Sequence, residues 1–163
     1  MNRLKLLLTV GCICVCATLT ISCDDDDHIC TLPVYSGFSI VPTEWDGGDT
    51  VTITAVQKTI GNLLYKAEYS WSVACADTTF SDSYDVVYDY EPYDPYITFT
   101  LPDDFSSSYA NISFSAQFSY SATAPTTVEN SYDSSESGIY GSITSYAASS
   151  LYGTASGSYV LTW

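Results

Sequence analysis

The chain reads as an all-β protein: one antiparallel β-sandwich of about seven strands, preceded by an export signal and an acidic tether. Three observations predict this. Apolar residues recur at every second position in several segments, which places them on one face of an extended strand. Clusters of Gly, Pro, Asp and Asn separate those segments. No stretch of the domain sustains the apolar spacing of a helix.

Phe38 and Ile40 form the first short alternating pair, and Val51, Ile53 and Ala55 alternate with Thr50, Thr52 and Thr54. Tyr65, Ala67, Tyr69, Trp71 and Val73 then alternate with Lys66, Glu68, Ser70 and Ser72, a strand with one buried and one wet face. Ile97, Phe99 and Leu101 follow. The longest run sets Ala110, Ile112, Phe114, Ala116, Phe118 and Tyr120 against Asn111, Ser113, Ser115, Gln117 and Ser119. Tyr84–Tyr88, Gly138–Tyr146 and Ser158–Trp163 are weaker strand candidates. Asp46-Gly47-Gly48-Asp49, Gly61-Asn62, Pro92–Pro95, Pro102-Asp103-Asp104 and the polar run Thr123–Ser137 supply the turns.

Ahead of the domain, Met1–Ser22 opens with Arg3 and Lys5, runs through Leu6-Leu7-Leu8-Thr9-Val10 and stays apolar to the small residue Ser22. That is the layout of a secretory signal, and the apolar stretch is short of the ~20 residues a membrane-spanning helix needs. Leu19-Thr20-Ile21-Ser22-Cys23 resembles the bacterial lipobox. The resemblance implies cleavage before Cys23, a diacylglycerol on its thiol and an acyl chain such as palmitate on its amine, and hence a membrane partner through the lipid. Asp24-Asp25-Asp26-Asp27 is a run of like charge that cannot enter a core. It resembles the export signal behind the lipidated cysteine of surface lipoproteins in gut-dwelling Gram-negative bacteria, which implies an outer-membrane lipoprotein exposed at the cell surface. Three segments result: signal 1–22, lipidated tether 23–36 and sandwich 37–163.

Without the signal, Lys58 and Lys66 face all 19 acidic residues, a formal charge of 2 − 19 = −17. A surface of that sign repels phosphate backbones, so nucleic acid is excluded as a partner. With Cys23 assigned to lipid, Cys30 and Cys75 remain. An oxidising envelope compartment permits them to pair, although each also reads as a small apolar residue standing alone.

Gly37–Tyr120 resembles an immunoglobulin-like domain of bacterial surface proteins. Asp49-Thr50-Val51-Thr52-Ile53-Thr54 takes the place of strand B, Tyr69-Ser70-Trp71-Ser72-Val73 that of strand C with its core tryptophan, Ile97–Pro102 that of strand E and Ala110–Tyr120 that of strand F. The resemblance implies architecture and no particular chemistry.

The sequence does not read as an enzyme and calls for no cofactor and no metal. His28, the one histidine, falls in the tether, and no phosphate loop or zinc spacing occurs. Adjacent acids such as Asp103 and Asp104 read as solvated turn residues. The densest unusual segment is Ser81–Tyr96, where tyrosines and carboxylates interleave. Asp82, Asp85, Asp89, Glu91 and Asp94 are candidate calcium ligands, and with Tyr84 and Tyr88 they equally form a candidate surface for glycans or another envelope protein. Asp49-Thr50-Val51 and Asp77-Thr78-Thr79 resemble acceptor triplets for O-glycans, which makes Thr50 and Thr78 candidate attachment points. The function expected is a lipid-anchored binding or structural module. The alternatives are a strand-exchanging subunit of a surface fibre, or a small outer-membrane barrel, whose closing strand Tyr159–Trp163 is similar to.

Overall fold

The computed structural model describes residues 31–61, 64–87, 93–120, 138–147 and 152–163. These form eight strands: β1 (Val34–Val41), β2 (Thr50–Thr59), β3 (Leu64–Ala74), β4 (Thr79–Val87), β5 (Tyr96–Thr100), β6 (Tyr109–Tyr120), β7 (Ser142–Ala147) and β8 (Tyr152–Thr162). They assemble into two antiparallel sheets packed face to face, a β-sandwich. The smaller has the order β1-β2-β5 and the larger β4-β3-β6-β8-β7.

Alternation dictates which side chains meet between the sheets. Val51, Ile53 and Ala55 of β2 are buried, as are Ala67, Tyr69, Trp71 and Val73 of β3 and Ala110, Ile112, Phe114, Ala116 and Phe118 of β6. Phe114 is the hub of the core. Its ring lies 4.6 Å from Trp71, 5.7 Å from Tyr35, 6.1 Å from Tyr69 and 6.4 Å from Phe38, centroid to centroid. Aromatic contacts of this kind each add ~0.5–1.5 kcal/mol beyond the area they bury. The outward positions of the same strands are polar. Apolar-in and polar-out is the reverse of the pattern a membrane barrel requires, since a barrel turns an apolar band toward lipid.

Three boundaries differ from those read in the sequence. The sandwich starts ahead of Gly37: β1 begins at Val34, and Leu32, Tyr35 and Ser36 are buried, so residues 31–36 belong to the domain and not to the tether. Tyr65 does not join the buried face of β3. The register shifts between Leu64 and Lys66 against β6, and the extra residue leaves Tyr65 exposed. The last strand begins at Tyr152, six positions before Ser158, because its inward face here is built of Gly153, Ala155 and Gly157, which carry no apolar bulk for a sequence pattern to register.

Both long sides of the sandwich are fastened. On one side the Phe38 N–H donates to the Tyr140 carbonyl (2.7 Å) and the Tyr140 N–H to the Phe38 carbonyl (2.8 Å), joining β1 to the segment that leads into β7. The crossing is tight. Gly37 has φ +143°, and a β-carbon there would stand 2.8 Å from the Tyr140 carbonyl oxygen and 2.9 Å from that of Gly141. On the other side the Tyr84 hydroxyl of β4 donates to the Tyr96 carbonyl (2.9 Å) and accepts from the Tyr96 N–H (2.8 Å), reaching the outer edge of β5.

Candidate functional site

The described residues of the acidic and aromatic segment that stands out in the sequence do not share one face. Tyr84 is half-buried, with its ring 5.6 Å from Tyr69 and 6.4 Å from Tyr93. Burial and the neighbouring Tyr93 hydroxyl raise its ionisation above the usual tyrosine range, against the opposing effect of the Tyr96 backbone. Asp85 lies on the outward face of β4 and pairs with Lys66 at 2.9 Å, where Lys66 also meets Glu68 at 2.7 Å. Its two carboxylate partners, Glu68 first, hold the Lys66 ammonium charged to higher pH than usual. Asp82 points to the opposite face of the strand and accepts from the Ser83 N–H at 2.8 Å. Asp94 accepts from the Gln57 N–H at 2.7 Å, extending the β2–β5 pairing beyond the strand end. Each of these carboxylates is engaged separately, and among the described residues no three metal-ligating side chains converge. Tyr88, Asp89 and Glu91 lie outside the described residues.

Cys23 and Cys30 also lie outside them. Cys75 is a free, buried thiol just past the end of β3, and burial raises its ionisation. Thr31, the next residue after Cys30, sits against Gly61, just ahead of β3. Cys75 follows the far end of that 11-residue strand, about 33 Å away along its length. The Cys30–Cys75 pairing that the composition permits rests on Cys30 and so lies outside the described residues. Of the two candidate glycan acceptors, Thr50 is exposed at the start of β2, with its hydroxyl 3.2 Å from that of Thr100. Thr78 is half-buried, and its carbonyl accepts from the Cys75 N–H at 2.8 Å.

The end of the sandwich opposite Thr31 carries the loops between β1 and β2, β3 and β4, and β5 and β6. Trp45 is buried there against Phe99 (5.7 Å) and Trp163 (5.0 Å), and Trp163 stacks on Phe105 at 6.2 Å. Beside them is a cleft of about 290 Å³ lined by Asp77, Thr78, Asp104, Phe105 and Ser107. Asp77 and Asp104 are exposed beside the half-buried Phe105, while the Ser107 hydroxyl donates to the Tyr109 carbonyl at 2.7 Å.

A second surface emerges only from strand register. On the outer face of the larger sheet, Ser81 pairs with Ser72, Ser72 with Ser113, Ser113 with Ser158 and Ser158 with Ser142, a row of serines crossing all five strands. One step along the strands, Ser83, Ser70, Ser115, Ser156 and Thr144 form a second row by the same pairings. The hydroxyls stand ~4.8 Å apart across strands and ~6.7 Å apart along them. Over β6, β8 and β7 the flanking outward residues are Asn111, Gln117, Thr154 and Val160, with no charge among them. The exposed rings of Tyr146 and Tyr152 lie at the Thr31 end of this region. A groove of about 360 Å³ runs along Ser142, Thr144, Ser156 and Ser158. In the sequence, Ser70, Ser72, Ser113 and Ser115 mark the wet sides of two strands, and the Ser-x-Ser spacing recurs in β8, but the rows themselves depend on register between strands.

Comparison with protein-family models, with curated proteins and with solved structures found no match to this chain.

Proposed function

We propose that the protein is a lipid-anchored module of the bacterial cell surface, an immunoglobulin-like sandwich that binds a partner or builds structure rather than catalyses a reaction. The observation that carries this reading is the polarity of the fold. The chain enters the sandwich at Thr31, next in line to the acidic tether, while the loop-rich end with its aromatic cluster and cleft lies at the far end of the strands. A domain tethered through Cys23 would present that end outward.

The sheet order supports the immunoglobulin-like part. With β1, β2 and β5 taken as strands A, B and E, and β4, β3, β6 and β8 as C′, C, F and G, the order resembles that of such domains, with β7 as an added edge strand. Trp71 on β3 packs against Phe114 on β6, the core position expected of a strand C tryptophan. The two fastened sides favour a self-contained module over a strand-exchanging fibre subunit, which would need an open gap to receive a donor strand.

Mass spectrometry of the mature N-terminus tests the anchor, and diacylglyceryl-modified Cys23 is the expected result. An unmodified Cys23, or an intact residue 1–22 segment, rejects it. Protease treatment of intact cells tests surface display, with loss of the domain expected and full protection the contrary result.

A further inference from the structure

We propose that the charge-free part of the larger sheet's outer face, over β6, β8 and β7, is a contact surface for an extended neutral polysaccharide. The inference rests on the reading of the protein as a binding module and specifies its ligand class and surface. In a chain of net charge −15, an area whose described outward residues include no ionised group selects by what it lacks. An anionic polymer gains nothing from it and is repelled by its surroundings. A basic partner finds its counter-charges elsewhere, and an aliphatic peptide finds Val160 as the one exposed aliphatic side chain among the described outward residues, the other exposed apolar surface being tyrosine rings. The chemistry that fits is one in which every group both donates and accepts, as serine and sugar hydroxyls do.

The hydroxyls are also free to serve. On the smaller sheet, outward threonines satisfy one another, Thr50 with Thr100 at 3.2 Å and Thr52 with Thr98 at 3.0 Å. The serine rows of the larger sheet make no such pairs among the described residues. Hydroxyls alone discriminate weakly against water, and the tyrosines supply what they lack. Tyr146 and Tyr152 are 48% and 45% exposed. Since Tyr146 is opposite Thr154, Tyr152 is its diagonal neighbour, ~7–8 Å away. Two rigid amphipathic rings at that spacing offer stacking faces to the C–H side of consecutive sugars. The groove beside Ser142 and Ser156 continues from them along the strands.

Native affinity electrophoresis of the purified full-length protein tests the proposal, in gels containing hydroxyethylcellulose, galactomannan, arabinoxylan or, as the anionic control, polygalacturonate. Retardation by at least one of the three neutral polymers is expected, weakened at least tenfold in Y146A/Y152A and in S115E, with wild-type circular dichroism retained. S115E places one charge at an exposed position and keeps the test valid if the double variant does not fold. Retardation that persists in both variants leaves glycan binding intact but moves it to another surface, and overturns the proposal. No retardation by any neutral polymer, or retardation by polygalacturonate alone, rejects both the surface and the ligand class. Self-association that disappears in the same variants assigns the face to a second copy of the chain, and equally overturns it.

Discussion

The Tyr84 hydroxyl makes for Tyr96 the two hydrogen bonds that an adjacent strand would make, one to its carbonyl and one from its N–H. A side chain of the larger sheet thereby occupies the free edge of the smaller one. Buried backbone groups must find partners, and β5 has a strand neighbour only on its β2 side. The Asp82 carboxylate does related work on β4, where it covers the Ser83 N–H and interrupts an otherwise open edge.

Replacing Tyr84 with Phe keeps the ring contacts and removes both hydrogen bonds, at an expected cost of ~1–2 kcal/mol in urea unfolding at neutral pH. A pH effect accompanies it. The folded protein holds Tyr84 protonated above its ordinary value of 10.0, so its contribution is complete below that pH and declines as pH rises past it, where the unfolded chain ionises first. Stability should therefore fall more steeply above pH 10 in the wild type than in Y84F. Equal slopes would show that Tyr84 is not held neutral by the fold.

Phe114 touches four other rings, and its loss leaves a cavity that a sandwich core cannot easily close. F114A should cost ~3–5 kcal/mol, measured by chemical denaturation, while S115A on the outward face of the same strand should stay within ~0.5 kcal/mol. Comparable effects at the two positions would mean that the register of β6 is inverted.

Gly37 meets two carbonyl oxygens where β1 passes the segment leading into β7. G37A should lower stability by ~2 kcal/mol or more, because the backbone conformation and the contact both disfavour a β-carbon. An unchanged melting temperature would refute the close crossing.

The Cys75 thiol tests the burial just past the end of β3. Cys75 should react slowly with a thiol reagent in the native state, since it is buried and its thiolate is disfavoured. Modification as fast as that of a thiol in the denatured chain would show that Cys75 is not buried.

Calcium at millimolar concentration should leave the melting temperature unchanged, because Asp82, Asp85 and Asp94 are held by Ser83, Lys66 and Gln57 in different directions. A rise of several degrees would show that the segment gathers these carboxylates around the ion.

Much of the architecture was legible in the sequence where a strand has one bulky apolar face. The alternation of Ala110–Tyr120 and of Ala67–Val73 marks two buried faces and two wet ones, and the tertiary fold uses them so. Legibility failed where bulk was missing or where one residue broke the phase. Gly153, Ala155 and Gly157 hid the first half of β8, and the extra residue at Tyr65 turned a tyrosine outward. The segment from Ser81 to Tyr96 looked like one site because its residues are consecutive, yet successive side chains of a strand face opposite ways, and Asp82 and Asp85 are separated for that reason.

The sequence by itself determined the all-β class, the inward face of each strong strand and the acidic character of the surface, since each depends on residue type and local period. Tertiary structure alone decided which strands became neighbours and in what register. That choice distributes Ser70, Ser72, Ser113, Ser115, Ser156 and Ser158 into two rows with their partners on β4 and β7, and it sets Tyr84 across the edge of β5. Pairing between distant strands is settled by how the buried faces fit together, a property of the assembled core that no single segment carries.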